Sequence, residues 1–130
     1  MKILVGYDGS NSAKDALKLA KDHAMALDAK VDVVTSMEGA QNNQYDDVRQ
    51  AELGLEFAKA LLEEDNVDCE THLLIRGLTP GEDLVQFAEE NQINEIFIGV
   101  RRRSKVGKLL MGSTAQHVIL NAPCPVVSIK

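Results

Sequence analysis

The sequence predicts an α/β protein, a single domain built on an open parallel five-stranded sheet with helices on both faces. Three observations carry that reading. Five short β-branched or apolar runs alternate with four stretches of helical periodicity, which is the pattern of a parallel sheet with crossover helices. Turn-forming residues stand at the ends of runs one and four, Asp8-Gly9-Ser10 and the stretch from Gly99. The chain has 130 residues, 45% hydrophobic and 26% charged, enough for one core without staples. One domain over 1–130 is expected.

The elements follow in order. Lys2-Ile3-Leu4-Val5-Gly6-Tyr7 is a strand ending at Asp8. Ala13, Ala16, Leu17, Ala20, Ala24 and Leu27 recur at helical spacing, so a helix is expected over 11–28, with Ser10 or Ser12 as N-cap. Its small alanines allow close packing on a sheet. Val31 to Ser36 is the second strand, followed by a polar loop. Val48, Ala51, Leu55, Ala58 and Leu62 form one stripe of a second helix over 46–64, and Val67 to Ile75 is the third strand. Thr79-Pro80-Gly81-Glu82 starts a third helix, with Thr as N-cap, Pro at N1 and Glu at N3. Asn94 to Gly99 is strand four, a helix begins near Ser113, and residues 124–129 are strand five. Pro123 and Pro125 cannot donate ladder hydrogen bonds, so this last strand should start late and lie toward a sheet edge.

In such sheets ligands bind beyond the strands' C-terminal ends, where the strand order reverses. Strands one and four both end in Gly-containing polar loops, which places the reversal between them and implies the order 3-2-1-4-5. Asp8-Gly9-Ser10 would then face the 99–114 stretch across one crevice. That stretch is basic, holding Arg101, Arg102, Arg103, Lys105 and Lys108 and no acid. It leads into a helix start, whose free N–H groups and positive dipole end favour an anion. Phosphate is the natural guest.

Charge narrows the partners. The formal net charge is −6, so taking away those five cations leaves −11 for everything else. An acidic body repels a polyanion everywhere but at one patch, which argues against nucleic acid and membrane surfaces. Sparse aromatic interleaving in the patch points the same way. Cys69 and Cys124 lack C-x-x-C spacing and read as buried free thiols. The apolar run at the N-terminus is too short for a signal peptide and no segment has membrane-spanning length, so cytoplasm is the expected compartment. His117 reads as a helix residue, since no Ser-His-Asp or Cys-His grouping is visible, and His23 and His72 show no metal-ligand spacing.

The whole chain resembles the universal stress proteins. Ile3-Leu4-Val5-Gly6-Tyr7-Asp8-Gly9-Ser10 followed by an Ala-rich helix is similar to that family's opening. The end is similar to its signature, in which two glycines separated by two residues are followed after nine more by Gly-Ser; Gly99 is the first glycine, Gly112-Ser113 closes the pattern, and Ala122-Pro123-Cys124-Pro125-Val126-Val127 is the usual final strand. The resemblance implies the adenine nucleotide alpha hydrolase-like, Rossmann-like fold and a stress-response module that binds ATP or AMP rather than an enzyme. It assigns the nucleotide to Gly6, Tyr7, Asp8, Gly9, Ser10, Ser36, Gly99, Val100, Arg101, Arg102, Arg103, Gly112, Ser113 and Thr114. Asp8 would bond ribose hydroxyls or hold a Mg²⁺ bridging to phosphate; the plainer alternative is that it caps helix one. Ser113 and Thr114 would donate to phosphate, cap helix four, or both. The resemblance also implies a homodimer through strand 126–129.

One position departs from the pattern. Arg102 stands where the family's ATP-binding members carry the second glycine. It either obstructs the close approach of backbone to nucleotide or turns its guanidinium onto phosphate. Under the first outcome the chain would be a dimeric interaction module whose basic loop meets another anion or an acidic partner.

Overall fold

A computed structural model describes residues 1–39, 44–100 and 111–130. The order of elements is β1 (Lys2–Gly6), α1 (Asn11–Leu27), β2 (Lys30–Ser36), α2 (Gln44–Glu63), β3 (Cys69–Leu74), α3 (Pro80–Glu90), β4 (Glu95–Gly99), α4 (Ser113–Asn121) and β5 (Val126–Ile129). The strands form one sheet in the order β3-β2-β1-β4-β5, and every pairing is parallel. The expected architecture and strand order are therefore observed. β5 begins after both prolines and lies at an edge, as their missing donors require.

Strand parity sorts the core into two layers. Ile3, Val5, Val31, Val33 and Phe97 point to one face and pack with Ala13, Ala16, Leu17 and Ala20 of α1 and Leu55, Ala58 and Leu62 of α2. Leu4, Val34, Ile96 and Ile98 point to the other face, against Leu84 and Phe87 of α3 and Ala115 and Val118 of α4. Each fully buried Ile, Leu, Val or Phe contributes about 1.5–3 kcal/mol, so the two layers dominate the favourable side of folding. The four buried alanines of α1, Ala13, Ala16, Ala20 and Ala24, bring its backbone close to the sheet.

That closeness explains Gly99. A Cβ added there would lie 2.5 Å from the carbonyl carbon of Ser12 and 2.7 Å from the amide nitrogen of Ala13. Backbone cannot yield as a flexible side chain can, so β4 must end in glycine for α1 to start where it does.

Helix starts follow the sequence signals, with two corrections. Ser10 is the N-cap of α1, its Oγ accepting from the Ala13 N–H at 3.2 Å. Asp8 is not that cap: its Oδ1 accepts from the Ser10 N–H at 3.0 Å, which shapes the turn before the helix. Thr79 and Glu82 form a complete capping box on α3 with Pro80 in the first turn. The backbone N–H and hydroxyl of Thr79 hold the Glu82 carboxyl below the ordinary glutamate range. α4 is capped by neither Ser113 nor Thr114; its N-cap is Gly112, which supplies no side-chain hydrogen bond. The two cysteines are free and half-buried rather than buried, and burial raises both thiols above their usual pKa. Among the described residues, no helix is long and apolar enough to cross a membrane.

Candidate functional site

The reversal of strand order between β1 and β4 opens a cavity of about 340 Å³ at the strands' C-terminal ends. Gly6, Tyr7 and Asp8 line it from the end of β1, Val34 and Ser36 from β2, and Ile98 and Gly99 from β4. Gly112, Ser113, Thr114 and Ala115 line it from the start of α4, Pro80 and Leu84 from α3, and Ala13 from α1. Asp8 and the α4 start thus share one crevice, as expected.

The site carries a directional field. Three helices, α1, α3 and α4, present their first turns to it through Ala13, Pro80 and Ser113. Each start bears roughly half a positive charge from its aligned peptide dipoles. Ser10 and Thr79 cap the first two helices, while Gly112 leaves α4 without a side-chain cap. The first N–H groups of a helix have no partner inside it. The α4 start is accordingly the part of the lining best prepared to receive an external acceptor.

The floor is polar and held in place from below. Ser36 Oγ donates to Asp83 Oδ2, and Arg76 Nε donates to Asp83 Oδ1 at 2.8 Å. Asp83 is fully buried, whereas the Arg76 side chain is 32% exposed and also meets Glu90 Oε1 at 3.3 Å. Since Asp83 takes the hydroxyl proton, Ser36 faces the cavity as an acceptor. Its partner in a ligand must therefore be a hydroxyl or amino group. A phosphate oxygen does not qualify.

Tyr7 is buried beside this floor. Its N–H donates to Val34 O at 2.9 Å and its carbonyl accepts from Thr35 Oγ1 at 2.7 Å, which extends the β1–β2 pairing past the end of the strand. Burial and then the neighbouring Asp8 charge raise the Tyr7 phenol above its usual pKa. Gly9 turns the chain out of β1 at φ +80°, a left-handed conformation that side chains resist.

Of the residues expected at the site, Gly6, Tyr7, Asp8, Ser36, Gly99, Gly112, Ser113 and Thr114 line the cavity. Gly9 lines an adjoining cavity with Thr35, Met37 and Asp47. Ser10 serves α1 as its cap, and Val100 is packed in the α3/α4 layer with its N–H on Ile129 O at 2.6 Å. Arg101, Arg102 and Arg103 lie outside the described residues, as do Lys105 and Lys108. His117 packs against α3: a Cβ on Gly81 would meet the His117 Cβ at 2.9 Å. Sequence reasoning missed Pro80 and Leu84 at the rim and Asp83 and Arg76 below it. Thr79-Pro80 was recognisable as a helix start, and in a doubly wound sheet such starts gather at the strands' C-terminal ends.

An open parallel sheet with its cavity at the strand-order reversal, entered by helix starts, defines a doubly wound α/β domain. The chain belongs to the universal stress protein family, whose model matches residues 1–130. It is 34% identical over 134 residues to a universal stress protein of Thermus aquaticus, covering 98% of this chain and 97% of that one. Among solved structures it is similar to a universal stress protein from Archaeoglobus fulgidus, at 38% identity and TM-score 0.92, covering 100% of this chain and 98% of that chain. A structure of the universal stress protein from Archaeoglobus fulgidus in complex with dAMP is 34% identical with TM-score 0.85, again over 100% and 98%.

Proposed function

We propose that the cavity binds an adenine nucleotide, ATP or AMP, and that the protein is a stress-response module whose occupancy alters its conformation or association. The observation that carries this reading is the α4 start, turned to the cavity without a side-chain cap. Phosphate would accept from the N–H groups and hydroxyls of Ser113 and Thr114. Ser36, with its proton committed to Asp83, would accept from a ribose hydroxyl or a base amino group. Asp8 would bond the ribose or hold a Mg²⁺ bridging to phosphate. The dAMP complex of a 34% identical family member supports an adenosine ligand. The reading is of a binder and not a hydrolase: Asp8 is the one acid among the described lining residues.

Calorimetry with ATP-Mg²⁺ is expected to give a dissociation constant in the low micromolar range or weaker, roughly −8 kcal/mol at the strong end. No heat and no thermal shift at millimolar nucleotide would sink the proposal. Arg102, in place of the motif's second glycine, favours a second reading in which the basic loop meets another anion or an acidic partner. Arg102→Gly separates the two. It leaves nucleotide affinity similar or lower under the first reading and creates or sharply improves it under the second.

Under either reading we propose a homodimer through β5. Val126, Val127 and Ile129 remain only partly buried on this edge strand, and an open edge presents unpaired N–H and C=O groups. Light scattering at micromolar concentration is expected to give twice the 14.2 kDa chain mass, and a monomer would contradict it.

A further inference from the structure

We infer that Asp32, Glu70 and His72 form a binding site for a first-row divalent transition metal, Zn²⁺ being the best match, on the sheet edge away from the nucleotide cavity. The three residues come from two paired strands. Asp32 and Glu70 are register partners, and His72 lies two positions beyond Glu70, so all three side chains share the face that packs on α3. Spacing along the chain hides this grouping, because one of its three residues, Asp32, comes from the neighbouring strand.

The geometry converges on one atom. His72 Nε2 is 2.9 Å from Asp32 Oδ1 and 3.8 Å from Glu70 Oε2, and one ligand atom from each of the three residues lies within 4.8 Å of the others. A single ring proton can satisfy only one of two carboxylates. A cation between them satisfies both. With metal–ligand bonds of about 2.0–2.2 Å, tetrahedral donors stand roughly 3.3 Å apart. The 2.9 Å separation must then widen, and the 3.8 Å one close, by roughly half an ångström each.

The surroundings hold the donors in place. Lys30 Nζ binds Glu70 Oε1 at 2.9 Å, which leaves Oε2 turned toward His72 and orients the carboxylate as a supporting contact does around a metal. The Phe87 ring lies against the His72 imidazole at 4.9 Å between centroids, limiting its rotation. Asp32 is almost wholly buried, while His72 and Glu70 are open enough to admit an ion. One imidazole with two carboxylates suits Zn²⁺ or Co²⁺; Mg²⁺ and Ca²⁺ take oxygen ligands. A bound ion would clamp edge strand β3 to β2.

The test uses the full chain without nucleotide, in buffer free of chelators. ZnCl₂ at about 100 µM should raise the melting midpoint by about 5 °C or more, and Co²⁺ should bind at one ion per chain with visible absorption of a low-symmetry site. The Zn²⁺-dependent shift should fall to near zero in His72→Gln and in Glu70→Gln, each read against its own metal-free midpoint. Glu70 is exposed, so its variant keeps the test informative if the histidine variant folds poorly. No shift in the wild type, or a shift that survives in the Glu70 variant, would overturn the site and assign any metal effect to other side chains.

Discussion

Gly112→Asp is expected to abolish nucleotide binding while leaving the fold as stable as before or more so. The backbone at Gly112 is ordinary extended conformation, φ −66° and ψ 160°, and a Cβ built there meets nothing within 4 Å. Among the described residues nothing requires glycine at this position. Asp is among the best N-cap residues, and relative to Gly it stabilises a helix by a few tenths of a kcal/mol, with a further ~0.3–1 kcal/mol from its charge at the dipole's positive end. The same carboxylate would occupy the α4 N–H groups and place a negative charge inside the cavity. Two like charges about 4 Å apart near a protein surface repel by about 1–4 kcal/mol, and the ligand's lost donors add to that. Affinity for ATP should fall by about 100-fold or more while the melting midpoint holds or rises slightly. Gly112→Asn supplies the cap without the charge and should weaken binding less. Thermal melts paired with calorimetry check both variants; unchanged affinity in the Asp variant would mean that the α4 start does not hold the phosphate.

The contrast between Gly112 and Gly99 shows what could be read in the sequence and what could not. The strand and helix pattern was legible because it is local. The short apolar and β-branched runs in Lys2–Gly6 and Lys30–Ser36, the alanine stripe of α1 and the Thr79–Glu82 capping box each lie within one element and state its conformation directly. The strand order followed from where the polar loops stood. At the site, Asp8 and Ser113-Thr114 were legible because they stand at strand–helix junctions. The reason for each glycine was not. Gly99 is required by the Ser12–Ala13 backbone, a neighbour brought from the other end of the chain, whereas Gly112 faces open space. Asp83 was hidden for the same reason. An acid in a helix's first turn reads as a solvated charge serving the dipole, and only the tertiary fold places Arg76 and Ser36 upon it. His72 followed suit, its carboxylate partner Asp32 lying on the adjacent strand.

Arg76→Met is expected to cost about 3 kcal/mol of stability, and most of that loss should vanish when Asp83→Leu is added. Asp83 is fully buried, so its charge depends on Arg76 Nε at 2.8 Å and on the Ser36 hydroxyl. Removing the guanidinium leaves a buried carboxylate whose desolvation is no longer offset; removing both charges replaces an ion pair by apolar groups, which is often neutral or favourable. Denaturant unfolding of the two single variants and the double variant should yield a coupling energy of about 2 kcal/mol or more, and additive losses would show that the pair is not a unit. The pair is also joined to the cavity through Ser36. In the double variant the Ser36 hydroxyl loses its acceptor in Asp83 and becomes free to donate. A ligand group that donates to Ser36 in the wild type then meets a hydroxyl no longer fixed as an acceptor. Stability near wild type with nucleotide affinity reduced several-fold is therefore the expected outcome, and it would separate the ion pair's work in holding β2, β3 and α3 together from its work in setting the polarity of the cavity floor.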